Sequence, residues 1–465
     1  MGANSSQIKA NSSQRAANSS QSEANQIKSD RYAGFGNTTL TSSDLSRQFN
    51  AESTDNTTSW ENMPISEESS ESIFKQYIDI FSNIKKKQIH LNIIIMGKSG
   101  HGKSTLINAV FRDNLVREGI GKPVTQNIDE ISKKDIPLTI FDTPGFELNT
   151  SQQNKLKSDV QNLILQRFQK NDQNQAIHCI WYCISTELGR LEKYEIDYIN
   201  SFKEFASKFQ IPVIVILTKS HDDNEKREML NCVWTNLRGI NVVPVLAKDK
   251  VITSGNKKFV IESFGLNELI DVVDDLLPEM VKITFQNVQK VSLKHKKKYA
   301  LIAVGSGVAA ASLVGASPIP FSDCAILIPT EITMLASIVS IYGISVPKDF
   351  IVVFLASTIG CGTATLLGRF AVVTILKCIP GVGTLIGSLV SGATAGVITA
   401  ALGGTFIIII ERIFKGELNP NSYKSEDFKR YIQEVFKNEL KNKKKWNLRL
   451  NKKILLHFYH LWYLW

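Results

Sequence analysis

Gly97-Lys98-Ser99-Gly100-His101-Gly102-Lys103-Ser104 satisfies the pattern G-x-x-x-x-G-K-[ST]. The apolar run Ile89–Met96 ahead of it reads as a buried strand, and Thr105–Phe111 behind it reads as a helix. That strand–loop–helix setting is what the motif requires. Glycines let consecutive backbone N–H groups turn inward around phosphate oxygens, and the N-terminus of the following helix adds positive potential. In such a loop the backbone from Gly97 to Thr105 forms the cradle, Lys103 reaches the β- and γ-phosphates, and the Ser104 hydroxyl is offered to Mg2+. His101 is a candidate to assist catalysis, but a lone loop histidine reads more simply as a solvated residue.

A second motif, Asp142-Thr143-Pro144-Gly145, ends the next apolar run, Pro137–Phe141. Its carboxylate is placed to hold Mg2+, directly or through water, and the Gly145 N–H can meet a γ-phosphate. Between the two motifs, Thr125 in Gly121-Lys122-Pro123-Val124-Thr125 stands where a nucleotide-sensing threonine belongs. Lys103, Thr125 and Gly145 are thus the expected catalytic groups, and Ser104, Thr125 and Asp142 the expected Mg2+ ligands.

Gly97–Ser104 with Thr105-Leu106-Ile107-Asn108-Ala109 and then Asp142–Gly145 resembles the translation-factor-related class of GTP-binding domains, in the style of the Era, septin, AIG1 and immunity-related GTPases. The resemblance covers about 89–289 and implies GTP or GDP with Mg2+ as ligands. It also implies a base-reading segment. Thr218-Lys219-Ser220-His221 stands where the family carries [NT]-K-x-D, so His221 occupies the place of the guanine-reading aspartate, with Asp222 and Asp223 just beyond. A one-residue bulge would restore Asp222 to that role; otherwise the two aspartates are a solvated loop or a helix cap. The Lys219 stem can pack along a purine face, and Leu246-Ala247-Lys248 resembles the segment whose backbone meets the guanine oxygen. Phe146 follows the motif glycine where Ras-like enzymes carry a water-orienting Gln, so the resemblance implies slow hydrolysis unless another group, an activating protein or a second copy supplies what is missing.

These residues need a frame, and the chain supplies one. Ala176–Ser185, Ile211–Thr218 and Ile240–Leu246 read as further buried strands, and helical stretches near 151–170, 190–208, 223–236 and 266–278 lie between or after them. Strands alternating with helices predict an α/β, three-layer αβα P-loop NTPase domain with a mainly parallel sheet over 85–289. Residues 1–70 contain 35 Ser, Thr, Asn or Gln, and Ala-Asn-Ser-Ser-Gln recurs at 3–7, 10–14 and 17–21. Such a segment buries too little surface to offset its ordering entropy and is expected to be disordered. Met1-Gly2-Ala3-Asn4-Ser5-Ser6 fits the N-myristoylation pattern, residues 1–30 hold no apolar run of a secretory signal, and the six cysteines form no zinc or disulfide spacing.

Charge is distributed unevenly. Residues 299–410 carry three basic and three acidic side chains in 112 residues, which argues against an ordinary soluble enzyme for the whole chain. The same region holds 14 of the 28 glycines, including Gly383-x-x-x-Gly387 and Gly392-x-x-x-Gly396, spacings that let helices approach closely in lipid. Phe350–Gly368 and Cys378–Ile410 approach or reach the roughly 20 residues of a membrane span. An apolar, all-α, membrane-associated domain is therefore expected over 290–415, with a water-soluble bundle as the other reading. An amphipathic helix (Ser425–Leu440) and a basic aromatic tail follow within 416–465. Lys290–Lys298 before the block, and Arg412, Lys415 and the later basic cluster after it, place both flanks on the cytosolic side. The leading functional reading is a membrane-associated GTPase switch, self-assembling or dimeric through the GTP-binding domain. The other is a non-hydrolysing membrane scaffold with a degenerate nucleotide site. The basic excess sits mainly at the C-terminus, so no nucleic-acid partner is expected.

Overall fold

The computed structural model describes residues 67–113, 115–116, 128–145, 150–188, 190–315, 322–347, 349–359 and 392–443. Thr125, Phe146, Gly2, Gly383, Gly387, the apolar stretch 360–391 and the tail from 444 onward lie outside them.

The first motif is held by β1 (Leu91–Met96), whose six residues are all buried, and α2 (Lys103–Val110). A helix precedes them, α1 (Glu67–Lys87). The chain then runs through β2 (Asp129–Ser132), β3 (Leu138–Asp142), α3 (Thr150–Gln169), β4 (Cys179–Ser185), α4 (Lys193–Ser207), β5 (Val213–Thr218), α5 (Asp223–Asn236) and β6 (Asn241–Pro244). A hairpin, β7 (Lys250–Ser254) and β8 (Lys257–Ile261), leads to α6 (Leu266–Leu276) and α7 (Glu279–Val288).

Six strands form one sheet in the order β2-β3-β1-β4-β5-β6. Every pairing is parallel except β2 with β3. Because strand side chains alternate between faces, β1 feeds two cores. Ile93 and Ile95 pack with Leu106 and Ile107 of α2, Val273 of α6 and Phe285 of α7. Ile94 and Met96 face the other way, toward Val160 and Ile164 of α3, Phe202 of α4 and Val233 of α5. The result is the three-layer αβα domain expected from the strand and helix alternation. Burying each such aliphatic side chain contributes about 1.5–3 kcal/mol, so both helix layers are fixed to the strand that delivers the phosphate loop.

Beyond α7 the described residues form helices: α8 (Leu293–Gly315), α9 (Ser322–Tyr342), α10 (Phe350–Ile359), α11 (Gly392–Phe414) and α12 (426–443). Their shared core includes Phe354, Phe406, Ile410 and Phe436, and it also takes Ile73 and Tyr77 from α1. So α1, which begins inside the segment expected to be disordered, packs with the helices at the other end of the chain. Small residues bring α11 close: a Cβ on Gly403 would lie 2.9 Å from Val304 Cγ1 of α8 and 3.0 Å from Met334 Sδ of α9.

A polar joint connects the two regions. Arg112, just past α2, donates to Gly343 O at the end of α9 and to Asn287 Oδ1 of α7 (2.9 Å). Asn287 Nδ2 donates in turn to Ser340 O. The fully buried Lys296 Nζ donates to Gln286 O, Ile341 O (3.1 Å) and Tyr342 O (3.2 Å), three acceptors for the three N–H groups of an ammonium at the C-terminus of α9.

Candidate nucleotide site

The phosphate end is assembled from β1, α2, β3 and the end of β4. Gly102 is the N-cap of α2 and makes no side-chain cap. The first-turn N–H groups of Lys103, Ser104 and Thr105 therefore have no carbonyl within the helix and no cap, which suits an anion. Lys103 Nζ rests on Gly97 O (2.9 Å) and Lys98 O (3.3 Å), at the mouth of the loop it would serve. Gly145 lies against the same loop: a Cβ there would sit 2.6 Å from Ser99 N and 2.9 Å from Ser99 Cβ, so only glycine allows this approach. The two motifs, some forty residues apart in sequence, thus meet backbone to backbone.

Asp142 ends β3 opposite Asp129 of β2. Its Oδ1 is buried and accepts no hydrogen bond, and Thr143 Oγ1 beside it is likewise unsatisfied. Burial pushes the Asp142 carboxyl up to about 6, opposed by the Lys103 charge and reinforced by Asp129. A buried carboxylate oxygen without a donor, in register with Ile95 near the end of the strand that delivers the phosphate loop, fits Mg2+, which takes one or two protein ligands and the rest from phosphate and water. Among the described residues no group of three or more His, Cys, Asp or Glu could hold a metal without the nucleotide.

His101 differs from the sequence expectation. It is only 4% exposed, not solvated. Its Nδ1 meets Cys183 O at 3.0 Å and its carbonyl accepts from Thr218 Oγ1 at 2.7 Å, so it ties the loop to β4 and β5. Burial lowers its imidazole to about 4, with the Lys98, Lys103 and Lys219 charges adding to the shift. The His101 N–H donates to Lys98 O at 3.2 Å. Sequence also gave no sign of Glu195 of α4. This nearly buried carboxylate holds Lys98 Nζ at 2.8 Å and accepts from Tyr182 OH at 3.3 Å. Against the burial that would lower it, the Glu195 bond holds the Lys98 ammonium above its usual range. Lys98 therefore braces the loop from behind. Cys179 and Cys183 are buried thiols pushed up to about 12 by burial, which makes them packing residues.

The base end lies after β5 and β6. Lys219 has φ +56°, and its ammonium pairs with Glu187 at 2.8 Å in the 3-10 turn Thr186–Leu188. Thr186 Oγ1 donates to Lys219 O at 3.1 Å, and His221 Nδ1 also meets that carbonyl, at 2.7 Å. Asp222 is the N-cap of α5: its Oδ1 accepts from Asn224 N (2.8 Å) and Glu225 N (3.0 Å). Asp223 is exposed and pairs with Lys226. The helix-cap alternative thus describes Asp222 Oδ1, leaving Oδ2 as the oxygen open to a ligand. Ala247 is half-buried and Lys248 exposed, just past the Leu246–Phe264 bridge that closes this end.

Residues 92–219 match the family described as 50S ribosome-binding GTPase. Over 205 residues the chain is 26% identical to septin-9 of Rattus norvegicus, covering 37% of this chain and 35% of that protein. Over 170 residues it is 26% identical to septin-4 of Homo sapiens, covering 31% of this chain and 35% of that one. The chain thus spans about a third of the length of these curated relatives. Among solved structures, Era of Aquifex aeolicus bound to GDP and AlF4- aligns at 16% identity over 50% of this chain and 69% of its own, with a TM-score of 0.29. Residues 92–219, which carry both motifs, are therefore similar to that GTPase family and to part of the septins, and the fold around them is that of a P-loop GTPase domain.

Proposed function

We propose that the domain over 85–289 binds GTP and GDP with Mg2+ and hydrolyses GTP slowly, as a switch held at a membrane by the helices over 290–415. The observation that carries this reading is the phosphate end: an uncapped helix start, Lys103 waiting on loop carbonyls, and a buried Asp142 oxygen with no donor. On binding, Lys103 leaves Gly97 O and Lys98 O for the phosphates, and the first-turn N–H groups of α2 orient them. Ser104, Thr125 and Asp142 would hold Mg2+, which when bound neutralises charge on the β- and γ-phosphates. Gly145 and Thr125 respond to the γ-phosphate. Phe146 offers no group to orient water, so turnover stays slow until a second copy or an activating protein contributes one.

At the base end the Lys219 stem lies along the purine, Asp222 meets the ring edge, and the Ala247–Lys248 backbone meets the guanine oxygen. Support for the membrane comes from α11: Gly396–Phe414, with a mean hydropathy of 1.9 over 19 residues, is long and apolar enough to cross. The G domain and the C-terminal tail then face the cytosol, which requires an even number of crossings or a shallow re-entrant insertion. Carbonate extraction and protease protection with tags at both termini test this placement; full release by carbonate would return the helices to a soluble bundle.

A second reading, a nucleotide-loaded scaffold that does not hydrolyse, is favoured by one observation, the commitment of Asp222 to capping α5 while His221 holds the base-reading position. Binding of labelled GTP by wild type and by Lys103→Ala tests the site, and single-turnover hydrolysis separates the two readings.

A further inference from the structure

The β7–β8 hairpin leaves four apolar side chains exposed to solvent. Val251, Ile252, Phe259 and Val260 are between 40% and 59% exposed, and the hairpin is a separate two-stranded sheet whose outer edges pair with no described strand. Its register explains the exposure. Val251 opposes Val260 and Ile252 opposes Phe259, so each face carries one apolar cross-strand pair. One step nearer the turn, Thr253 opposes Lys258 on the first face and Ser254 opposes Lys257 on the second. Gly255, with φ +58°, takes the first central position of the two-residue turn, where a tight hairpin favours glycine. The hairpin has a defined register and turn, yet its apolar residues belong to none of the buried cores among the described residues.

Its charge selects a partner. Residues 250–261 contain Lys250, Lys257 and Lys258 and no acidic residue. Lys257 and Lys258 are both exposed and form no ion pair among the described residues. Edge lysines are a common device against edge-to-edge pairing of two copies. An anionic lipid surface offers the opposite: apolar volume for the side chains and phosphates for ammonium groups on long stems.

We propose that the β7–β8 hairpin is a docking finger for anionic membrane surfaces, lying in the headgroup region with an apolar pair buried and Lys257 and Lys258 on lipid phosphates. This is a contact of the G domain itself, separate from the apolar helices that carry the membrane reading, and it does not rest on their insertion. Its root adjoins the nucleotide site. Lys250 Nζ lies 3.6 Å from Glu187 Oε1, while Glu187 Oε2 holds Lys219 of the base-reading segment. Ser263 N donates to Asp249 Oδ1 at 2.7 Å and closes the base of the finger. One carboxylate thus links the hairpin to the residue expected along the purine.

Hydrogen exchange of the full chain with vesicles tests this, because it reads the hairpin separately from any insertion of the helices. With phosphatidylserine-containing vesicles, amides of 250–261 should exchange at least tenfold more slowly, and with phosphatidylcholine vesicles they should not change. Lys257→Gln with Lys258→Gln should abolish that protection and weaken the anionic-lipid preference by about fivefold per lysine. Phe259→Ser with Val260→Ser, which leaves the lysines, should also abolish the protection; both pairs are exposed, and an unchanged melting temperature checks folding. Flotation with vesicles while 250–261 stays unprotected would overturn the finger and leave the helical attachment standing. Absence of flotation with either lipid would overturn both. Protection that rises with protein concentration and needs no vesicles would overturn lipid docking in favour of a second copy.

Discussion

The two ends of the nucleotide site are built on different terms. At the phosphate end three polar elements are left available for a ligand: the first turn of α2 lacks a cap, Asp142 Oδ1 lacks a donor, and Lys103 rests on carbonyls it can leave. At the base end the same kinds of group are already engaged. Lys219 is paired with Glu187, Asp222 Oδ1 caps α5, and the His221 ring lies on Lys219 O. Unsatisfied buried groups are costly, so the phosphate end gains most from a ligand. The base end can gain only by exchanging partners. Affinity should therefore come mainly from phosphates, with base discrimination a smaller increment.

The largest effect that could break this contrast is at Lys103. Lys103→Ala should reduce GTP affinity at least 100-fold in a fluorescent-nucleotide titration; equal binding would dissolve the site. Next comes acid. Imidazoles in the unfolded chain titrate near 6.5, whereas burial keeps His101 and His178 neutral down to about 4. At these two histidines the unfolded state binds protons first, so their contribution to stability is fully present above about pH 6.5 and is lost as pH drops toward 4, on the order of 2–3 kcal/mol for each. The raised Asp142 carboxyl acts in the opposite sense over the same range. Denaturant melts of wild type and His101→Gln across that range should differ by the share of His101.

Gly145→Ala places a methyl group against Ser99 and should cost about 1–3 kcal/mol in overpacking. If the strain falls on the loop contact, nucleotide affinity drops about tenfold while the melting temperature changes little, a pairing that titration and calorimetry separate. The smallest effects sharpen the base end. Asp222→Ala should destabilise by about 1 kcal/mol through the lost cap, whereas Asp222→Asn retains a cap of similar quality. A fall in the GTP-over-ATP preference in Asp222→Asn, at unchanged stability, would make Oδ2 the guanine reader. An unchanged preference would leave Asp222 as a cap only. Asp223→Ala should alter the preference less than either.

The phosphate end was legible in the sequence because its chemistry depends on glycine spacing and on two strands that read as continuous apolar runs. Both β1 and β4 are wholly buried, and the runs Ile89–Met96 and Ala176–Ser185 contain them. What sequence concealed has identifiable causes. Strand β2, Asp-Glu-Ile-Ser, is a mostly exposed antiparallel edge with no apolar run to mark it. The β7–β8 hairpin exposes both faces, so its alternation points to no core. Helix α1 carries Ile73, Tyr77, Ile80, Phe81 and Ile84 at helical spacing, but it straddles the composition boundary near residue 70. Lys98–Glu195 and His101–Cys183 join residues more than eighty positions apart, contacts that only the fold brings together. The same holds for Asp222, whose spacing suits a cap and a base reader equally.

The proposed switch requires that the phosphate end support slow, Mg2+-dependent GTP hydrolysis despite Phe146. Single-turnover hydrolysis of γ-labelled GTP by the purified full chain tests it most directly. Phosphate should be released at a rate on the order of 10⁻³ s⁻¹ or below, and EDTA and Lys103→Ala should each abolish the release. Stoichiometric GTP binding with no phosphate released over many hours would contradict it and leave the chain a nucleotide-loaded scaffold.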